Sequence, residues 1–191
     1  MKMNILERIR SETQCLHKAL ENDLPVMRPE FQLSGYRRLL ARFYGFYVPA
    51  ERNLCRVPHL GTALTDWPKR GKIEWLVKDL TAIGFTPEEV ADLPLCGNLP
   101  SLPGTAEALG CLYVLEGSTL GGQIIGRHLR AALRLEPDNG ASFFGSYGDR
   151  TGLMWKAFQG ALLSIAPEAH DRTVKTATET FACMHEWIKA G

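Results

Sequence analysis

No apolar run in this sequence reaches bilayer-spanning length without charge. The N-terminal stretch MKMNILERIRSETQCLH mixes Glu and Arg with Ile and Leu, so it lacks the apolar core of a secretory signal. Neither a membrane partner nor export is expected. Cysteine is sparse: Cys15, Cys55, Cys96, Cys111 and Cys183 are odd in number, scattered and without CxxC spacing. That argues against a disulfide framework or zinc knuckle and for a reducing cytoplasm. An excess of one charge is missing too, since 22 Lys and Arg face 21 Asp and Glu for a net +1, which gives no footing for a nucleic-acid partner. Alternating β-branched runs are nearly absent, as are a GxGxxG fingerprint following a strand and the paired ExxH motifs of a di-iron carboxylate bundle.

What is present reads as helix throughout. At 191 residues, 45% apolar and 23% charged, the chain fits one all-α domain with room to enclose a flat organic ligand. A first helix is expected over about 4–22, with Ile5, Leu6, Ile9, Leu16 and Leu20 as its apolar stripe and Pro25 beyond its end. A second starts near Ser34 and meets Pro49, which should kink it or end its regular part. Residues 73–83 close at Gly84, Thr86-Pro87-Glu88-Glu89 carries the signals of a helix start, and Thr105 is read as the cap of a long helix reaching about Leu135. Two more helices are expected over 152–165 and 168–189, separated at Pro167.

The long helix is unusual in its glycines. Between Ala108 and Leu129 it reads ALGCLYVLEGSTLGGQIIGRHL, with Gly110, Gly117, Gly121, Gly122 and Gly126. Each glycine costs a helix about 1 kcal/mol relative to alanine, so something else must offset several kcal/mol. Gly117 and Gly121 are four residues apart and share a face, where bare backbone can approach either another helix or a flat ligand. Spacing alone leaves both readings open. Gly121-Gly122 adds an expected bend or hinge. On the first helix, His17 shares a face with Arg10, Gln14 and Glu21, and a neutral imidazole is a common metal ligand. A solvated histidine is the competing reading.

Several segments together resemble the heme oxygenases. LERIRSETQCLHKALEN is similar to their first helix, LARFYGFYVPAE to their aromatic second helix, LYVLEGSTLGGQIIGRHL to their glycine-rich distal helix, and SFFGSYGDRTGLMWKAF to a later heme-pocket segment. They occur in family order across most of the chain, and the EGSTLG form of the distal segment looks most like the bacterial branch found beside iron-uptake systems or bacteriophytochromes. The resemblance implies a heme oxygenase-like bundle with heme between the first helix and the distal helix.

Carried over residue by residue, it makes His17 the proximal iron ligand and Glu21 the residue that orients the ligand side. Arg10 and Gln14 stand where basic residues reach the propionates. Gln14 departs from that pattern because it can hydrogen-bond a carboxylate but not neutralise it. Arg150 or Lys156, helped by Tyr147, could take over. Gly117 and Gly121 would contact the porphyrin face, with Gly122 lending flexibility. Ser118 stands where many members have an aspartate that organises distal water; serine offers one donor and two acceptors but no charge. Glu116, one residue away, is expected to point elsewhere, and His128 to be exposed.

The implied reaction cleaves heme, both cofactor and substrate, to biliverdin with release of carbon monoxide and ferrous iron. It uses O2 and electrons from an external ferredoxin or flavin-dependent reductase. Arg127, Arg130 and Arg134, at helical offsets of three and seven, could greet an acidic donor or be a solvated face. The competing readings are a heme-sequestering or delivery protein without turnover, a thiaminase-like enzyme on the same broad fold, and a ligand-free helical interaction module.

Overall fold

Asn4 opens the first helix with a capping box: its side chain accepts from the Glu7 amide at 3.0 Å, and the Glu7 carboxylate accepts from the Asn4 amide at 3.0 Å. The computed structural model describes residues 3–190, and every regular element among them is helical. Helix α1 (Ile5–Asp23) buries Ile5, Ile9, Thr13 and Leu20 and leaves His17 exposed at the edge of that face.

Helix α2 (Leu33–Leu54) runs through Pro49 for five more residues. A proline has no amide to bond the carbonyl four residues back. Here that carbonyl, on Gly45, accepts instead from the Cys96 amide at 2.8 Å. Gly45 must be glycine for the same docking, because a Cβ there would lie 2.3 Å from the Pro94 oxygen. The proline thus marks where a distant loop is fastened to α2.

The short helix α3 (Leu60–Ala63), not expected from the sequence, is followed in the expected order by α4 (Ile73–Ala82), α5 (Pro87–Ala91) and α6 (Thr105–Leu133). Helix α5 opens with the Thr86–Glu89 capping box. The long helix is capped by Gly104 rather than Thr105, and it ends earlier than expected because Arg134 takes a left-handed φ of 56°. Arg134 therefore leaves the stripe begun by Arg127 and Arg130, and Arg130 pairs with Glu136 at 2.7 Å.

A short helix, α7 (Ser142–Gly145), was not expected from the sequence; its first two amides, on Ser142 and Phe143, donate to the buried Asp79 carboxylate of α4 at 2.8 and 2.7 Å. Helices α8 (Thr151–Leu163) and α9 (His170–Lys189) complete the chain.

Helix α9 is the wedge of the bundle, with α6 packed along one side and α1 along another. Its buried threonines can face apolar neighbours because Thr173, Thr176 and Thr180 each donate to the carbonyl four residues back, at 3.1, 2.9 and 2.7 Å. Gly110 of α6 seats against this surface, where a Cβ would come within 2.3 Å of the Thr173 oxygen. No helix among the described residues is long and apolar enough to cross a membrane.

Candidate functional site

Helices α1 and α6 are held apart by α9, and a line of aromatic rings joins them. The His17 ring lies 5.5 Å from Phe181 of α9, Phe181 lies 6.5 Å from Tyr113 of α6, and Tyr113 lies 5.8 Å from Trp155 of α8. Trp155 ends beneath Gly117, 3.9 Å from where a Cβ would stand. His17 and Gly117 therefore sit at the two ends of one aromatic floor.

At the His17 end, the imidazole is about half exposed, with Nε2 3.3 Å from the Glu21 carboxylate. In this rotamer Nε2 is turned to Glu21, so a metal would be taken by Nδ1 or by Nε2 once the ring turns. Arg10 and Gln14 are exposed on the same helix. Burial raises the Tyr113 hydroxyl above its ordinary value, opposed by Thr13 and by the positive charge of Arg10. Arg150 and Lys156 are also exposed, and neither forms an ion pair among the described residues.

At the other end, the glycines of α6 fall into two classes. Gly110 and Gly122 are demanded by protein packing, since a Cβ would meet the Thr173 oxygen at 2.3 Å and the Phe144 oxygen at 3.1 Å. Gly126 is in ordinary contact with Phe144. Gly121 faces open space within 4 Å, and Gly117 meets only the Trp155 ring. Leu120 and Ile124, beside and one turn beyond Gly121, are 42% and 53% exposed, so the vacancy is bordered by uncovered apolar side chains. Gly122, expected to serve flexibility, is a packing glycine inside an unbroken helix.

Ser118 turns toward α2. Its hydroxyl donates to the Leu115 carbonyl at 2.8 Å and lies 2.9 Å from the Tyr47 hydroxyl. Tyr47 is fully buried, its proton is retained because burial pushes its pKa up, and Ser118 is its one partner, so Tyr47 donates. The Ser118 proton is then committed, and the oxygen keeps one acceptor site.

Two expectations need correction. Tyr147 does not present its hydroxyl for propionates: it is buried and donates to Glu116 at 2.9 and 3.2 Å. His128 is half-buried rather than exposed, and its Nε2 has no hydrogen-bond partner.

Glu116 does point away from the glycine face, into a buried polar cluster that sequence reasoning missed. Its carboxylate receives Arg70 on one oxygen and Lys72, at 2.5 Å, on the other. Arg70 grips Asp66 with two bonds of 2.7 Å and donates to the Met154 carbonyl at 3.0 Å. In the sequence PKRGK these cations look like ordinary surface charge. Tyr113, Trp155 and Phe181 were also unassigned; their helical positions mark them as apolar but say nothing of their meeting.

The heme oxygenase family model matches residues 3–190. Comparison with curated protein sequences finds no match. Among solved structures, the chain is similar to a heme oxygenase from Neisseria meningitidis, studied with NO and CO bound, at 21% identity and a TM-score of 0.80 over 99% of this chain and 92% of that one. It is similar to a heme oxygenase from Leptospira interrogans at 20% identity and a TM-score of 0.77, over 99% and 100% of the two chains. Heme oxygenase-1 from the cyanobacterium Synechocystis, in complex with heme, matches at 17% identity and a TM-score of 0.76, over 98% of this chain and 92% of that one. Structural likeness at these identities speaks for the fold, and the family match along nearly the whole sequence shows the lineage: the chain belongs to the heme oxygenase family.

Proposed function

We propose that this enzyme cleaves heme to biliverdin, releasing carbon monoxide and ferrous iron, with O2 and externally supplied electrons. The observation that carries the reading is the division among the α6 glycines. Gly110 and Gly122 are explained by neighbouring backbone, whereas Gly121 has no protein atom within 4 Å of where a Cβ would stand and Gly117 meets only the Trp155 ring, across an aromatic floor from a half-exposed histidine. A flat apolar macrocycle with an open axial position and two carboxylates matches that surface. His17 would hold the iron through one imidazole nitrogen, and the macrocycle would bring its own nitrogens.

In this arrangement His17 would hold the iron and Glu21 would keep the imidazole in register. Arg10, Gln14, Arg150 and Lys156 are the exposed groups available to the propionates, the charged ones by ion pairing and Gln14 by hydrogen bonding. Gly117 and Gly121 form the opposing wall with backbone alone. When bound, heme supplies both the metal that activates oxygen and the carbon skeleton that is cut. Ser118, its own proton engaged, uses its remaining acceptor site to fix a water that gives one hydrogen to Ser118 and keeps the other for a second acceptor. Because the sequence carries no dinucleotide fingerprint, a ferredoxin or flavin-dependent reductase delivers the electrons. A reducing cytoplasm suits such a donor.

One observation favours a second reading, heme sequestration or delivery without turnover: the committed Ser118 hydroxyl leaves no side-chain donor there. A single preparation separates the two. Hemin is titrated into wild type and His17→Ala, visible spectra are recorded, and ascorbate or a ferredoxin system is added in air. A one-to-one complex that converts to biliverdin supports the enzyme, and a stable complex that never converts supports sequestration. No complex removes both, and an unchanged spectrum in His17→Ala removes the ligand assignment.

A further inference from the structure

Beyond Tyr113 the floor side of α6 is held by no side chain of its own at Gly117 or Gly121, and no backbone lies against either glycine. We propose that Glu116, gripped by Arg70, Lys72 and Tyr147, is the positioning residue of this helix. It sets the height and rotation of the Gly117–Gly121 backbone over the aromatic floor, and with them which edge of the macrocycle is attacked. The second half rests on the heme oxygenase reading; the first does not.

Glu116 is 1% exposed and precedes Gly117, so it leaves the helix about 100° round from the open face. Its three donors all come from outside α6. Arg70 and Lys72 lie in the segment between α3 and α4, and Tyr147 lies between α7 and α8. Arg70 has no exposed side-chain surface and also holds the Met154 carbonyl at 3.0 Å. One guanidinium therefore grips the residue before Gly117 and the residue before Trp155, the ring beneath Gly117. From α2, the Glu51 carboxylate accepts the Lys72 amide at 2.6 Å, tying the same loop to a third helix.

Exposed ion pairs can swing among geometries, but a shifted partner here would strand a charged donor or acceptor away from water. The planar guanidinium fork narrows the choice further. Burial, with the Glu116 carboxylate beside it, raises the Tyr147 hydroxyl far above the ordinary phenol range, so it remains a donor. Such a cluster adds little net stability compared with apolar packing and much restriction of geometry.

Hydrogen exchange read by mass spectrometry on ligand-free wild type, Glu116→Gln and Tyr147→Phe tests the positioning claim. The expected result is exchange of amides 117–126 about tenfold faster or more in Glu116→Gln, a smaller acceleration in Tyr147→Phe, and no change in α1. No acceleration in 117–126, or an equal acceleration everywhere, overturns it. Tyr147→Phe removes one hydroxyl and keeps every charge, so the test survives if Glu116→Gln folds poorly. In the hemin-loaded proteins, both variants should broaden the distribution of biliverdin isomers; an unchanged distribution overturns the link to the site of attack. Failure of wild type to take up hemin would overturn the heme reading and that link, while the exchange result still decides the positioning.

Discussion

Tyr47 keeps its hydroxyl in the interior with a single partner, the Ser118 oxygen at 2.9 Å. Removing the two members of this pair should therefore have unequal effects. Ser118→Ala strands a buried donor and should destabilise by about 1–3 kcal/mol, whereas Tyr47→Phe removes the donor itself and should cost only about 0.5–1.5 kcal/mol. Adding Tyr47→Phe to Ser118→Ala should recover stability, as urea unfolding midpoints would show; strictly additive losses would mean that the bond carries no coupling. His17 is the reverse case. Half exposed and with Glu21 3.3 Å away, it should give up about 0.5 kcal/mol or less on replacement by alanine while the hemin complex loses its axial-ligand spectrum. The sequence placed Glu21 beside His17 but showed Ser118 without its partner. Tyr47 is 71 residues before Ser118, and nothing local announces their meeting.

Helix α6 was legible as an element to within two residues, because its apolar period and its glycines are local signals. The roles of those glycines were not legible, since the neighbours that divide them are remote: Thr173 presses on Gly110, Phe144 on Gly122, and nothing on Gly121. The division predicts opposite outcomes for one substitution. Gly110→Ala should destabilise by about 1–3 kcal/mol or more through overpacking against backbone. Gly121→Ala should stabilise the ligand-free protein by up to about 1 kcal/mol through helix propensity while weakening hemin binding. Thermal melts with hemin titrations would check both, and a Gly121→Ala protein with undiminished hemin affinity would remove this residue from the wall. Helix α7 escaped the sequence for a similar reason: its cap, Asp79, lies on α4 and accepts both leading amides. Asp79→Asn can satisfy only one of them and should cost about 1–3 kcal/mol, seen as a lowered unfolding midpoint.

Across the whole molecule, α9 does the work that no single motif reveals: it separates α1 from α6 and lays Phe181 between them. The order of family segments along the sequence foretold the bundle, but the aromatic floor arises from α6, α8 and α9 meeting, which only the folded chain displays. Phe181→Ala should lower stability by about 3–5 kcal/mol, the usual penalty for deleting a buried phenylalanine, and should loosen the His17 ring. Hemin at a hundredfold excess over its dissociation constant should raise unfolding stability by about 2.7 kcal/mol, and a melting temperature indifferent to hemin would argue against a site in the folded state.

The open backbone at Gly117 and Gly121 also limits how this protein can vary through inheritance. A wall without side chains has nothing to trim, and its smallest possible change is an intruding methyl group. Gradual adjustment of the pocket has to accumulate on the hidden side of the helix, at Glu116 and the groups around it, where a substitution can move the wall without touching what it encloses.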